Sequence, residues 1–153
     1  MKKAFLVITF ILVVGFCTSG VAQEEYRDPI PGDKQLTKAM IGVWKEVHQQ
    51  GILDGESIVV YYPNKRYEEF TTYMANEDTE FADGFILKVG EFRHMVSAGT
   101  WKVSGGHVYY KEIGDRITSM RIISIDAKRA SLTWDNGNTC ESYRIDLHND
   151  ESK

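Results

Sequence analysis

From Val43 onward, apolar and polar residues alternate along the chain, with β-branched and aromatic side chains at the apolar positions. That period of two is the signature of strands with one buried face. It predicts strands over residues 43–50, 57–62, 66–74, 85–89, 92–104, 107–113, 117–125, 130–135 and 139–147. Pro63-Asn64-Lys65, Gly105-Gly106, Asp126-Ala127-Lys128 and Asn136-Gly137-Asn138 separate several of them, each rich in residues that tolerate turn geometry. Residues 76–84, with Glu77, Asp78, Glu80 and Asp83, read as one longer solvated acidic loop. Ahead of the strands the period changes. Leu36, Ala39 and Met40 recur at helical spacing between Asp33, a residue suited to cap a helix, and Gly42. One short N-terminal helix followed by many short strands joined by tight turns predicts an antiparallel sheet that either sandwiches or closes, most simply as an all-β, antiparallel up-and-down β-barrel of eight to ten strands. Closure would remove the unpaired edges that invite aggregation.

The first 22 residues stand apart from this pattern. Lys2 and Lys3 precede an apolar run from Ala4 to Phe16, and Gly20-Val21-Ala22 places small residues ahead of Gln23. This is the layout of a secretory signal peptide, with cleavage near Ala22 and an exported, periplasmic or secreted product. Cys17 raises the alternative of a lipid anchor, which Phe16 disfavours because that processing takes a small residue before the cysteine. The apolar run is shorter than the ~20 residues that span a bilayer, and no later stretch is longer, so no membrane span is expected. Residues 23–32 read as an extended, mobile lead-in, 33–148 as the barrel domain, and 149–153 as a polar tail.

Composition narrows the partners. Removing Lys2 and Lys3 with the leader takes the formal charge from −4 to −6. A mildly acidic chain without a basic face argues against nucleic acid, because phosphate binding needs clustered bases. Cys140 is then the one cysteine left. It forms no internal disulfide and reads as a small buried hydrophobe rather than a nucleophile.

Two stretches repeat a short motif: "GVWKEV" from Gly42 and "GTWKVS" from Gly99. In a strand, glycine admits close approach of another backbone, and the tryptophan two residues on faces the same way. Trp44, directly after the helix, is positioned to plug one end of a barrel. Arg144, on the last strand and next to the first in a closed meander, is positioned to lie over its ring. The helix, the Gly-x-Trp opening the first strand, "SIVVYYPNKRYEEF", "GTWKV" and the late "LTW…CESYRI" together resemble the bacterial lipocalin-like domains, small secreted families of unknown function from Bacteroidetes. The resemblance covers about residues 36–147. It implies a calycin-type barrel without an established activity, and an end closed by Trp44 and Arg144, with Gly42 assigned to the same closure from its place in the motif.

Candidate chemistry is sparse. His48, His94, His107 and His148 share no metal-ligand spacing, so neither a metal nor another cofactor is expected. Glu46 and His48 fall on the Trp44 face of the first strand, where they could hold a polar ligand group or act as base and orienter. The plainer reading has the strand's end protruding and both side chains solvated. Tyr67, Glu69, Thr71 and Tyr73 share one face of their strand. Rings with hydroxyl hooks inside a cavity suit an amphipathic ligand. The candidate ligand-lining residues are therefore Trp44, Glu46, His48, Tyr67, Tyr73, Trp101 and Tyr110. No nucleophile elbow, phosphate loop, dinucleotide fingerprint or zincin motif is present, and no catalytic residue is assigned. These features point to an exported protein that binds a small apolar or amphipathic ligand inside its barrel. The alternative is a non-catalytic accessory protein with a filled barrel that meets a partner through its outer surface.

Overall fold

The computed structural model describes residues 26–49, 53–81, 83–112, 116–135 and 137–146. Among the described residues one helix, α1 (Asp33–Met40), precedes ten strands: β1 (Gly42–Gln49), β2 (Leu53–Tyr61), β3 (Arg66–Ala75), β4 (Thr79–Glu80), β5 (Ile86–Leu87), β6 (Phe92–Ser104), β7 (His107–Glu112), β8 (Ile117–Ile125), β9 (Arg129–Thr133) and β10 (Thr139–Arg144). Eight of them close an antiparallel barrel in the order β1-β10-β9-β8-β7-β6-β3-β2, while β4 and β5 form a separate two-stranded ribbon. Each barrel strand thus pairs with its neighbours in the chain, apart from the ribbon inserted between β3 and β6 and the β1–β10 seam that closes the cylinder. Trp44 sits opposite Arg144 across that seam.

The alternation read from the sequence sets which face is inside. Along β2, Leu53, Gly55, Ser57, Val59 and Tyr61 are buried, and the residues between them are more accessible. The main core gathers Met40, Trp44, Val59, Tyr61, Tyr67, Trp101, Val108, Tyr110, Met120, Leu132 and Cys140. A second, smaller cluster of Leu53, Ala75, Phe81 and Leu87, with Tyr73 against it, forms where the β4–β5 ribbon folds onto the far ends of β2 and β3. Leu53, Ala75 and Tyr73 alternate with outward residues on those strands. The ribbon therefore roofs that side of the barrel mouth. Arg93 fastens it, with its guanidinium 4.4 Å from the Phe81 ring centroid, 4.7 Å from that of Phe85, and paired with Asp83.

Four local expectations are corrected. The β2 strand starts at Leu53 rather than at residue 57, because both of its flanks are paired, Asp54 with Gln49 and with Met74. Pairing on both sides overrides the weak strand propensity of Asp54-Gly55-Glu56. The acidic stretch 76–84 is not one solvated loop: Thr79 and Phe81 are buried, and β4 pairs with β5, which is shorter than the strand expected over 85–89. The lead-in is not a free extension: from Tyr26 it is strapped to the β6–β7 hairpin. Arg27 donates its N–H to the Tyr109 hydroxyl at 3.0 Å, and Ser104 donates to the Arg27 carbonyl at 2.6 Å. Lastly, Asp33 does not cap α1. Gly32 occupies the cap without a side-chain bond, and the Asp33 carboxylate accepts the backbone N–H groups of Ile30, Gly105 and Gly106 at 2.8–2.9 Å. One buried carboxylate so ties the helix start to the β6–β7 turn. Burial works against its charge, yet the three N–H donors hold its pKa below the ordinary value.

Candidate functional site

The barrel interior changes character along its length. At the α1 end it is aromatic. Trp44 is 1% exposed and donates its indole N–H to the Met40 carbonyl at 2.8 Å. The Arg144 guanidinium lies 4.3 Å from the indole centroid. From there it donates to the carbonyls of Ala127 and Ile41 at 2.8 Å each, and to that of Ala39. Two of these carbonyls belong to the C-terminal end of α1, where a cation is favoured. Gly42 makes the arrangement possible: it has φ +134°, and a Cβ there would lie 2.4 Å from Arg144 Nη1.

The second Gly-x-Trp follows the same logic with different partners. A Cβ on Gly99 would lie 2.1 Å from the Lys111 carbonyl oxygen, so glycine is what lets β6 and β7 approach there. Trp101, 2% exposed, donates its N–H to the Tyr62 carbonyl at 3.2 Å and carries the Lys65 ammonium 4.8 Å from its ring centroid. The motif is repeated because each copy seats an indole on a backbone carbonyl beneath a cation, with a glycine clearing the space.

Above the indoles the rings acquire hydroxyls. Tyr61 packs edge-on to Trp101 at 5.2 Å, and Tyr67 edge-on to Tyr110 at 5.2 Å. The Tyr61 and Tyr110 hydroxyls share a hydrogen bond of 2.5 Å. Tyr67 meets Ser97 at 3.3 Å, and Ser97 donates to Glu112 at 3.2 Å. Burial raises both the Tyr61 and the Tyr110 phenols well above their usual value, so they remain neutral donors.

Carboxyl groups sit at this level. Glu46 is 4% exposed and accepts a hydrogen bond from Ser142 at 3.2 Å. Glu69, partly buried on β3, accepts one from Thr71 at 3.1 Å, and Thr71 in turn bonds Ser57 at 2.8 Å. Burial first, and the charge of Glu69 second, push the Glu46 pKa up to about 8. Glu69 is raised as well, chiefly by burial. Two acids inside one low-dielectric space resist joint ionisation, so near neutrality a proton is retained there. Tyr73, under the roof ribbon, borders them: burial, then the charges of Glu69 and Glu46, raise its phenol.

No protein-family model matches this chain, and no curated protein matches it. Its site is therefore read from its own geometry.

Of the residues singled out in the sequence, Trp44, Glu46, Tyr67, Trp101 and Tyr110 are buried together within the barrel, and Tyr73 lies at its roofed end. The solvated reading of Glu46 is overturned. The alternation that buries Trp44 carries on to Glu46, and pairing of β1 on both sides keeps that position covered. The side chain of His48 and all of His148 lie outside the described residues. His94 bonds Thr72 on the exposed surface at 2.9 Å, while His107 is turned to the Gly105 carbonyl at 3.0 Å. Among the described residues no group of three or more His, Cys, Asp or Glu side chains is placed to hold a metal ion. Sequence reasoning does not single out Glu69, Thr71, Ser142 and Ser57 as site residues. The Tyr67–Tyr73 face carries a signal for Glu69 and Thr71, but Ser57 and Ser142 need the register to be brought to the carboxylates.

Proposed function

We propose that this chain is an exported, lipocalin-like binding protein that holds a small amphipathic molecule inside its barrel, apolar body toward the tyrosines and polar end toward Glu46 and Glu69. The carrying observation is the division of one interior into an aromatic floor and a level of carboxyl and hydroxyl groups. Burying Glu46 is unfavourable for the empty protein. A ligand hydroxyl or amine placed against it would offset that penalty, which is a common reason for a buried acid to persist in a binding site. The leader and the lipocalin-like set of motifs support the export and family parts of the reading.

The test is native mass spectrometry of the protein purified gently from its own host. The expected result is a bound small molecule that is lost from Glu46→Gln, on a polypeptide beginning at Gln23. An empty barrel in the wild type would overturn the ligand, and a lipid on Cys17 would overturn free export.

A second reading rests on the outer face. Ile58, Phe70 and Val96 stand in register across β2, β3 and β6, with Phe70 and Val96 47% and 71% exposed. An accessory protein would use such a surface for a partner, and a barrel found empty in the same experiment would favour it.

A further inference from the structure

The two flanks of β6 are not paired over the same length. On one side β6 is matched to β3 from Phe92 to Thr100, but on the other it is matched to β7 only from Gly99 to Ser104. The chain turns back at the end of β7, where the Glu112 N–H donates to the Arg116 carbonyl at 3.1 Å. Among the described residues no strand pairs with the open side of residues 92–96. The cylinder therefore closes through the second half of β6, and the first half overhangs as an edge.

The register fixes which backbone groups that edge presents. In an antiparallel pair, successive residues alternate between bonding the partner strand and facing away from it. Trp101 donates its N–H to the Lys65 carbonyl at 2.8 Å, and Ala75 donates to the Glu91 carbonyl at 3.3 Å, both in step with the β3–β6 pairing. Arg93 and Met95 therefore direct their N–H and C=O groups to β3. Phe92, His94 and Val96 direct theirs to the open side.

The side chains along this edge do not guard it. Native sheets blunt an open edge with lysine, proline or a bulge, and neither lysine nor proline stands at Phe92, His94 or Val96. Phe92 and Val96 are 61% and 71% exposed. His94 is also exposed and bonds Thr72 within its own sheet. Arg93 alternates to the other face and is paired with Asp83.

We propose that a second copy of this chain adds to that edge, β6 against β6, antiparallel about a two-fold axis at His94. The pattern is self-complementary. Phe92 of one copy meets Val96 of the other, twice, and His94 meets its equivalent. All three face the open side with their backbone groups, so the contact forms about six inter-chain N–H···O=C bonds, two for each pair. Apolar side chains stand opposite each other, and no carboxylate, lysine or arginine falls at the paired positions. An unrelated strand would have to bring the same spacing, which this chain already holds. The contact is independent of whether the barrel carries a ligand.

Sedimentation equilibrium of the purified protein over about a hundredfold range of concentration, with amide hydrogen exchange at both ends of that range, tests it. The expected result is a monomer–dimer equilibrium. Exchange at Phe92, His94 and Val96 slows by about tenfold or more in the dimer, while Arg93 and Met95, bonded to β3, exchange slowly throughout. Val96→Pro removes an edge N–H and none that β3 uses, a change that edge strands tolerate, and it weakens the dimer by about tenfold or more. Val96→Ala keeps the N–H and weakens it less. A monomer at every concentration, a dimer whose three edge amides exchange at the monomer's rates, edge amides already protected in the dilute monomer, or Val96→Pro dimerising like the wild type would each overturn the proposal.

Discussion

Arg144 and Asp33 show how single charged residues hold this fold together by serving backbone groups that would otherwise be buried without partners. Arg144 stacks on Trp44 and donates to three carbonyls from two separate segments. Lysine keeps the charge but has neither the planar fork nor the stacking face. Arg144→Lys should therefore lower stability by about 2 kcal/mol in chemical denaturation, with the denaturant slope unchanged. Asp33 works through acceptance: three backbone N–H groups converge on its carboxylate. Its pKa is lower in the folded chain than in the unfolded one. Its contribution is complete above the unfolded value near 4 and is lost as pH falls through the folded one. Asp33→Asn should lower stability at pH 7 by about 1–3 kcal/mol and flatten the acid limb of the stability profile, as denaturation midpoints between pH 2 and pH 6 would record. Of these two roles, the first is legible from residue types, because a late arginine opposite an early tryptophan follows from closure of a meander. The second is not. The Asp33 side chain reaches a turn some seventy residues away, and only the packing of the strap and α1 on the β6–β7 hairpin brings the two together.

At the scale of elements, the strands legible in the sequence are those whose alternation is strong and whose turns carry Gly, Asn or Pro. The β6–β7 and β9–β10 hairpins are examples. The elements that escape such a reading are those whose structure depends on neighbours. The β2 strand runs back to Leu53 because β1 and β3 flank it, and Gly55 faces the Tyr73 ring, whose atoms would lie 2.8–2.9 Å from an added Cβ. The roof ribbon is hidden because its acidic residues dominate the local pattern, while its two anchors, Phe81 and Leu87, are separated by a turn. Its attachment is local. Arg93 links Phe81, Phe85 and Asp83, and the cluster beneath it is separate from the main core. Removing the guanidinium should loosen the ribbon without unfolding the barrel. Because that group supplies one partly exposed ion pair and stacks on two rings, Arg93→Ala should speed hydrogen exchange in residues 79–87 by about tenfold, and exchange in β7 and β8 should be little changed.

The whole molecule is a cylinder with an aromatic floor, a level of carboxyl groups and a partial roof, and its shape follows from strand pairing with one seam. The barrel and the identity of its inward residues are readable from period-two alternation. The burial of Glu46 is only half readable: alternation puts it on the Trp44 face, but a charged residue is ordinarily solvated and only the surrounding pairing shows otherwise. That burial has a consequence for the entire chain. A carboxyl whose pKa is higher folded than unfolded retains its proton in the native state after losing it in the unfolded one. Between the ordinary value of 4.5 and about 8, the folded protein binds more protons and stability must fall as pH rises. The slope is at most about 1.4 kcal/mol per pH unit for one proton. This window lies above the one in which Asp33 acts, so the two effects separate. Unfolding free energy measured by denaturant at intervals from pH 5 to pH 9, for wild type and Glu46→Gln, is the most direct test of an acid sealed inside a closed barrel. The wild type should lose stability steadily toward pH 8 while Glu46→Gln stays nearly level; identical profiles, or a wild type that gains stability across this range, would contradict the buried position of Glu46 and with it the ligand site built around it.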